Sequence, residues 1–295
     1  MTRQRARALM LSVLTALVIP LGVTHATSRS APAGPIPDKA LEAVVRSVIF
    51  DKKDKPDELT DDDLKKVYIL EGKGKGIKDL AGLEKCINLL QLNLAKNEIA
   101  NLAPLKDIKN LQSLDLSNNK IVDAGPLGNI VALQFLELSD NQIVSVEPLG
   151  KLTKLSALYI AGNKIADPAP LSALTKLSSL DLARNQLSDI KGLTNVAGLS
   201  LLKLSDNQIS DLAPLGKPLS VRMLLLERNK ITDLAPLVAA ARADADGEKR
   251  FAPFLRLYLG ENPLSEGART QQIDALKAAG VKVNLGEPAD PKKPK

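Results

Sequence analysis

From Leu89 to Leu264 the chain repeats one pattern of apolar and polar positions. Asn97, Asn119, Asn141, Asn163, Asn185, Asn207 and Asn229 lie 22 residues apart. Each follows leucine or another apolar residue at eight, five and three places upstream and precedes Ile or Leu at two places downstream. Leu111–Ile121 (LQSLDLSNNKI) and Leu155–Ile165 (LSALYIAGNKI) show the frame. Phe254–Leu264 (FLRLYLGENPL) is another copy, with Asn262 placed 33 residues after Asn229. The apolar residues five and three places before each asparagine are two apart, as Leu114 and Leu116 are. That spacing puts both on one face of a short strand, with Ser113, Asp115 and Ser117 on the other.

The second half of each unit repeats as well. Asp123, Asp167, Asp189, Asp211 and Asp233 stand four places after an asparagine, and Pro-Leu pairs follow at Pro104, Pro126, Pro148, Pro170, Pro214 and Pro236. An Asp ahead of a Pro-containing turn predicts a capped 3₁₀ or short helical turn, not a metal site. One strand and one turn cannot bury an apolar face alone, so the units must stack. A period of about 20–29 residues with L-x-x-L-x-L-x-x-N is the leucine-rich repeat signature. The expected fold is an α/β leucine-rich repeat solenoid, a horseshoe or arc. Its parallel β-sheet lines the concave face and its 3₁₀ turns line the convex one. At ~4.8 Å per strand the stack runs on the order of 40 Å. The asparagine amide, with two donors and an acceptor, is expected to bond backbone groups of its own coil and the neighbouring one.

The ends break the pattern. Residues 1–26 run from three arginines through an apolar stretch, Ala8–Val23, to Thr24-His25-Ala26, the order of a cleaved secretory signal peptide. Secretion or periplasmic export follows, with no stable membrane insertion after cleavage. Residues 27–35 read as a linker and 36–66 as a helical N-terminal cap. In that cap Asp38 precedes Leu41, Val44, Val45 and Val48 at helical spacing, and Thr60–Asp63 forms a capping box. The repeats occupy 67–264, beginning with an atypical turn in which Lys75 takes the asparagine place. An eleven-residue lengthening falls near 238–251 and predicts a convex-side helix ending near Gly247. Residues 265–285 read as a helix-strand C-terminal cap, with Ser265 opening the helix and Gly280 stopping it, and 286–295 as a disordered basic tail.

Composition narrows the chemistry. The sole histidine, His25, leaves with the signal peptide, and the formal charge of +6 falls to +3 once Arg3, Arg5 and Arg7 are lost. Histidine-based catalysis and metal binding are thereby excluded, no cofactor is expected, and a near-neutral solenoid gives no case for nucleic acid. Cys86 occupies a place held by Ile108, Ile130, Leu152 and Leu174 in other units, which predicts a buried thiol.

The unit Leu111–Leu127 (LQSLDLSNNKIVDAGPL), the start IPDKALEAVVRSVIF with LTDDDLKK and GIKDL, and the end NPLSEGARTQQIDALKAAGVKV resemble bacterial leucine-rich repeat proteins of the 22-residue, internalin-like class. The resemblance implies a secreted or surface-displayed module that holds a protein partner on the concave sheet.

On that face the residue four before each asparagine lies mid-strand. Asp115, Glu137 and Asp181 predict an acidic strip around Phe135 and Tyr159, both rings exposed. Lys203 follows, then an apolar cluster of Leu201, Met223, Leu225 and Tyr258, which is either a contact surface or partly covered by the insertion. Exposed aromatics mark an interface in a chain with only four Phe and three Tyr. The leading reading is a non-catalytic, exported protein-binding module. The alternative is a structural envelope protein that self-associates or tethers to the cell wall. An enzyme would need carboxylate-only chemistry at Asp115 and Glu137 on an open face, and is not expected.

Overall fold

The computed structural model describes residues 34–53, 55–194, 198–216, 220–247, 249 and 251–286. The expected signal peptide, nearly all of the linker and the tail from residue 287 onward lie outside the described residues. Ten strands form one parallel sheet in chain order. They are β1 (Ile69–Glu71), β2 (Gln91–Asn93), β3 (Ser113–Asp115), β4 (Phe135–Glu137), β5 (Ala157–Tyr159), β6 (Ser179–Asp181), β7 (Leu201–Lys203), β8 (Met223–Leu225), β9 (Arg256–Tyr258) and β10 (Lys282–Asn284). The central residue of each strand pairs with its equivalent, as in Leu92↔Leu114 and Leu114↔Leu136, so the repeat period is also the register. These central leucines and the residues two places after them are buried and build one continuous core. The fold is a leucine-rich repeat solenoid.

Short 3₁₀ turns such as Gly125–Asn129 and Ala169–Ala173 return the chain on the side opposite the sheet. Asp123, Asp167, Asp189, Asp211 and Asp233 each accept the backbone N–H two residues on, at 2.7–3.1 Å. Asn101 and Ser145 do the same where the Asp is missing.

The asparagines form a connected column. Asn163 Nδ2 donates to Leu138 O of the preceding coil and to Ile160 O of its own, each at 3.1 Å, while its Oδ1 accepts Ile143 N–H at 2.9 Å. Asn119, Asn141, Asn185, Asn207 and Asn229 repeat this arrangement. Asn262 does so across the insertion, reaching Leu226 O and Ile231 N–H. Asn97 holds both Lys75 N–H and Ile77 N–H at 3.0 Å. Every asparagine therefore bonds backward, and the first coil, with no predecessor, can carry Lys75 instead. The residue before each asparagine sits in the left-handed region, from Lys96 at φ 57° to Glu261 at 58°, with Gly162 at 65°.

At the start, α1 (Lys39–Val48) is capped by Asp38, whose Oδ1 accepts Ala40 and Leu41 N–H. Its Oδ2 accepts Lys78 and Asp79 N–H, tying the helix to the first coil. Leu41, Val44 and Val45 are buried, but Val48 is 45% exposed, because the helix ends there and Ile49 takes the inward place. The capping box of Thr60 and Asp63 opens α2 (Asp61–Leu64). The lengthening near 238–251 replaces one 3₁₀ turn with α3 (Ala235–Ala245), which ends just before Gly247. Ser265 Oγ accepts Ala268 N–H, and a π turn, Ala268–Gln272, leads into α4 (Ile273–Ala278). Gly280, at φ 98°, ends this helix before β10 closes the sheet.

Candidate interaction surface

Parallel register lines up the outward residues of adjacent strands, so the sheet face reads as ordered rows. The middle row runs Asp115↔Glu137↔Tyr159↔Asp181↔Lys203↔Leu225↔Tyr258. Phe135 begins β4 and leans diagonally onto Tyr159, with ring centroids 5.7 Å apart at 53°. Both rings are half-buried, a correction to the exposed pair that the pattern predicts. Each ring covers part of the other, so together they form one aromatic knob.

The carboxylates beside the knob differ. Asp115 accepts the backbone N–H and the hydroxyl of Ser117, and Glu137 accepts Ser139 N–H at 2.7 Å. Among the described residues neither meets a cation. Burial first, then the charges of Asp115 and Asp181, hold the Glu137 carboxyl above the usual carboxylate range, against the hydrogen bonds from Ser139. Asp181 departs from the expected strip. It is only 8% exposed and pairs with Lys203 at 2.9 Å. The available acidic surface is therefore Asp115 and Glu137, and Lys203 is spent on Asp181.

Leu201, Met223, Leu225 and Tyr258 are half-buried on the same face. The insertion does not cover them. Its helix packs against α4 and the return turns, on the side away from the sheet. Along the rim beyond the strand ends, Arg184 reaches Asp140 at 2.6 Å across Gly162, and Arg228 pairs with Asp206 and Glu261. An added Cβ on Gly162 would collide with both partners of the longer bridge.

One surface feature escapes the repeat pattern. The frame assigns Phe254 to the core, as the counterpart of Leu111 and Leu133. Instead Phe254 is 55% exposed and Leu255 is fully buried. Phe254 closes the 3₁₀ turn Ala252–Phe254, and Leu255, the extended residue that ends that turn, takes the inward place. The lengthened segment immediately upstream is the sequence signal for this change.

Comparison with known proteins agrees with this geometry. The family described as leucine-rich repeats in two copies matches residues 87–129, 109–151, 131–173 and 153–195. The chain is similar to an internalin (InlF) from Listeria monocytogenes, at 28% identity and a TM-score of 0.66 over 88% of this chain and 80% of that one. It is also similar to an internalin C2 from the same organism, at 26% identity and a TM-score of 0.62 over 85% and 95% of the two chains. A PEPR1–AtPEP1 structure shares the fold at 23% identity and a TM-score of 0.54, over 70% and 30%. No curated protein matches. Among the described residues no helix is long and apolar enough to cross a membrane.

Proposed function

We propose that this internalin-like leucine-rich repeat protein is an exported, non-catalytic module that holds a protein partner on its sheet face. The contact is centred on Phe135 and Tyr159, with Asp115 and Glu137 beside them. The observation that carries the reading is the joined ring pair next to two carboxylates that no cation of the described chain neutralises. Aromatic anchors of this kind supply most of the binding free energy at interfaces, while rim charges govern on-rate and salt dependence. A partner presenting a basic residue next to an apolar one matches the patch. Lys203, Leu225 and Tyr258 extend the same face, with Lys203 tied to Asp181. The absence of histidine after residue 25 and the placing of Asp115 and Glu137 on the face of an open sheet support a binding role over a catalytic one. Export is supported by the basic, apolar and small-residue order of residues 1–26.

The test uses the chain from Thr27 onward to capture binders from an envelope extract, and then measures affinity for the captured protein. Phe135→Ala with Tyr159→Ala should weaken it at least about tenfold, or ~1.4 kcal/mol. Wild-type affinity in that variant overturns the site. Mass spectrometry of the exported protein should find its start near Thr27, and an intact N-terminus in the cytosol overturns the export reading.

A further inference from the structure

Away from the Phe135–Tyr159 knob, the last coils build a second surface of opposite charge. Parallel register sets Met223, Arg256 and Lys282 side by side on β8, β9 and β10. Arg222, one residue before Met223, lays its guanidinium 5.8 Å from the centroid of the exposed Phe254 ring. Together with Pro253 these residues line an open groove of about 290 Å³. Its lining contains no carboxylate, and among the described residues no acidic side chain pairs with Arg222, Arg256 or Lys282. Arg184, Lys120 and Arg228 elsewhere on this solenoid are matched by acids, while exposed lysines such as Lys106 and Lys154 form no ion pair among the described residues, so what sets the groove apart is that three cations converge on one lining.

The groove wall is held from behind. The Asp244 carboxylate, at the end of α3 and 4% exposed, accepts Phe251 N–H at 3.0 Å and Ala252 N–H at 2.8 Å. Phe251 is buried, and the 3₁₀ turn Ala252–Phe254 that it anchors turns Phe254 outward. Gly280 admits the other side of the wall, since a Cβ there would stand 3.2 Å from Pro253 Cα. The extra segment of the penultimate coil thus fixes an aromatic ring outside the core slot the repeat assigns to it. Anchored from two sides, the groove exists before any ligand arrives, so little ordering entropy opposes binding.

We propose that this groove is a docking site for an acidic peptide segment of a protein partner, one that places a carboxylate beside an apolar or aromatic side chain. Arg256 and Lys282, on adjacent strands ~4.8 Å apart, can share one carboxylate. The guanidinium of Arg222 can take a second, and the free face of Phe254 takes the neighbouring apolar group. Cation–π contact with Arg222 holds ring and guanidinium in one plate. Three cations around a single ring fit a short peptide better than a polyanion, which needs a longer basic track to gain from counterion release.

The test is fluorescence anisotropy with the chain from Thr27 and a short labelled peptide alternating Glu with Phe, against a Gln-for-Glu control peptide. The acidic peptide should bind and the control should bind at least about tenfold more weakly, or ~1.4 kcal/mol. Arg256→Glu with Lys282→Glu should lose the acidic peptide, and Phe254→Ala should weaken it several-fold. Both changes are at exposed positions, and circular dichroism checks that the variants fold. Phe135→Ala with Tyr159→Ala should leave this binding unchanged, which separates the groove from the proposed partner face. Equal binding of both peptides, indifference to charge reversal, or displacement of the peptide by a single-stranded oligonucleotide at equal charge concentration each overturns the proposal.

Discussion

The asparagine column predicts a specific coupling between neighbouring repeats. Leu138 O accepts two hydrogen bonds, from Asn141 Nδ2 at 3.0 Å and from Asn163 Nδ2 at 3.1 Å. Asn163→Ala removes the second and orphans one buried donor, Ile143 N–H. The carbonyls remain served, because Leu138 O keeps Asn141 and Ile160 O keeps Asn185. The expected cost is about 1–3 kcal/mol, the penalty for one unsatisfied buried amide. Asn141→Ala likewise orphans Ile121 N–H and should cost the same. The double variant does more than add these, since it strips Leu138 O of both donors. A coupling of ~1 kcal/mol beyond the sum is expected. Asn119→Ala with Asn207→Ala shares no carbonyl and should be additive within ~0.5 kcal/mol. Urea unfolding followed by circular dichroism of the two double variants and their four single variants gives the values, with a constant slope confirming that all variants unfold as one unit. If the adjacent pair proves as additive as the distant one, the shared carbonyl carries no energetic weight and neighbouring repeats are not coupled through the asparagine column.

Four more outcomes follow from single sites. Asp38→Ala should cost ~2 kcal/mol, above the usual ~1 for a helix cap, because it also frees Lys78 and Asp79 N–H; burial alone would raise the Asp38 pKa, but four backbone N–H donors outweigh it and hold it low. Its stabilisation is present above the unfolded carboxylate pKa and is lost as pH falls through the lower folded value, so the variant should show a shallower loss of stability on acid titration. Glu137 has the opposite sign: its raised folded pKa makes the native state bind the proton first, so stability falls as pH rises through that value, and Glu137→Gln should flatten a plot of unfolding free energy against pH there. Gly162→Ala should cost ~1–2 kcal/mol through its left-handed backbone and should break the Asp140–Arg184 bridge, seen as a weaker salt dependence of the melting temperature. The Cys86 thiol is pushed up to about 12 by burial and then by Glu84, so a disulfide reagent should label it only after unfolding; rapid labelling of native protein would contradict the burial.

The repeat architecture is legible in the chain because one rule, the apolar spacing around each asparagine, recurs with each coil and every copy is physically redundant. The capping role of Asp123 and its equivalents follows from local turn chemistry and needs no tertiary information. Three particulars lay outside that reach. Val48 continues the helical apolar spacing, but it is the last residue of the helix and Ile49 takes the inward place. Asp181 carries the same type of side chain as Asp115, yet Lys203 one period on neutralises it, and the order of the row sets the two side by side without showing that their side chains pair. Phe254 occupies a core letter of the frame, yet a one-residue change of phase before β9 gives its place to Leu255. In each case a neighbour outside the local pattern decides.

Stability and display are assigned to different positions of the same unit. The inward leucines, the asparagine and the capping Asp satisfy one another and their neighbours, and none of them faces outward from the sheet. The outward strand positions make few contacts that the fold needs, so Gln91, Ser113, Ala157, Ser179 and Arg256 can occupy equivalent places in strands of one sheet without altering register. Stability in such a stack is a sum over coils and their interfaces. A change in the asparagine column should therefore lower the population of folded protein while leaving the affinity of the folded fraction intact. A change at Phe135 with Tyr159 should do nearly the reverse, losing from stability only the ring–ring contact of ~0.5–1.5 kcal/mol and the apolar area that the half-buried rings cover. The half-burial of those rings makes that small loss part of the argument: a sheet-face substitution with no effect on stability at all would mean that the two rings do not touch in solution, and that the aromatic knob is not preformed.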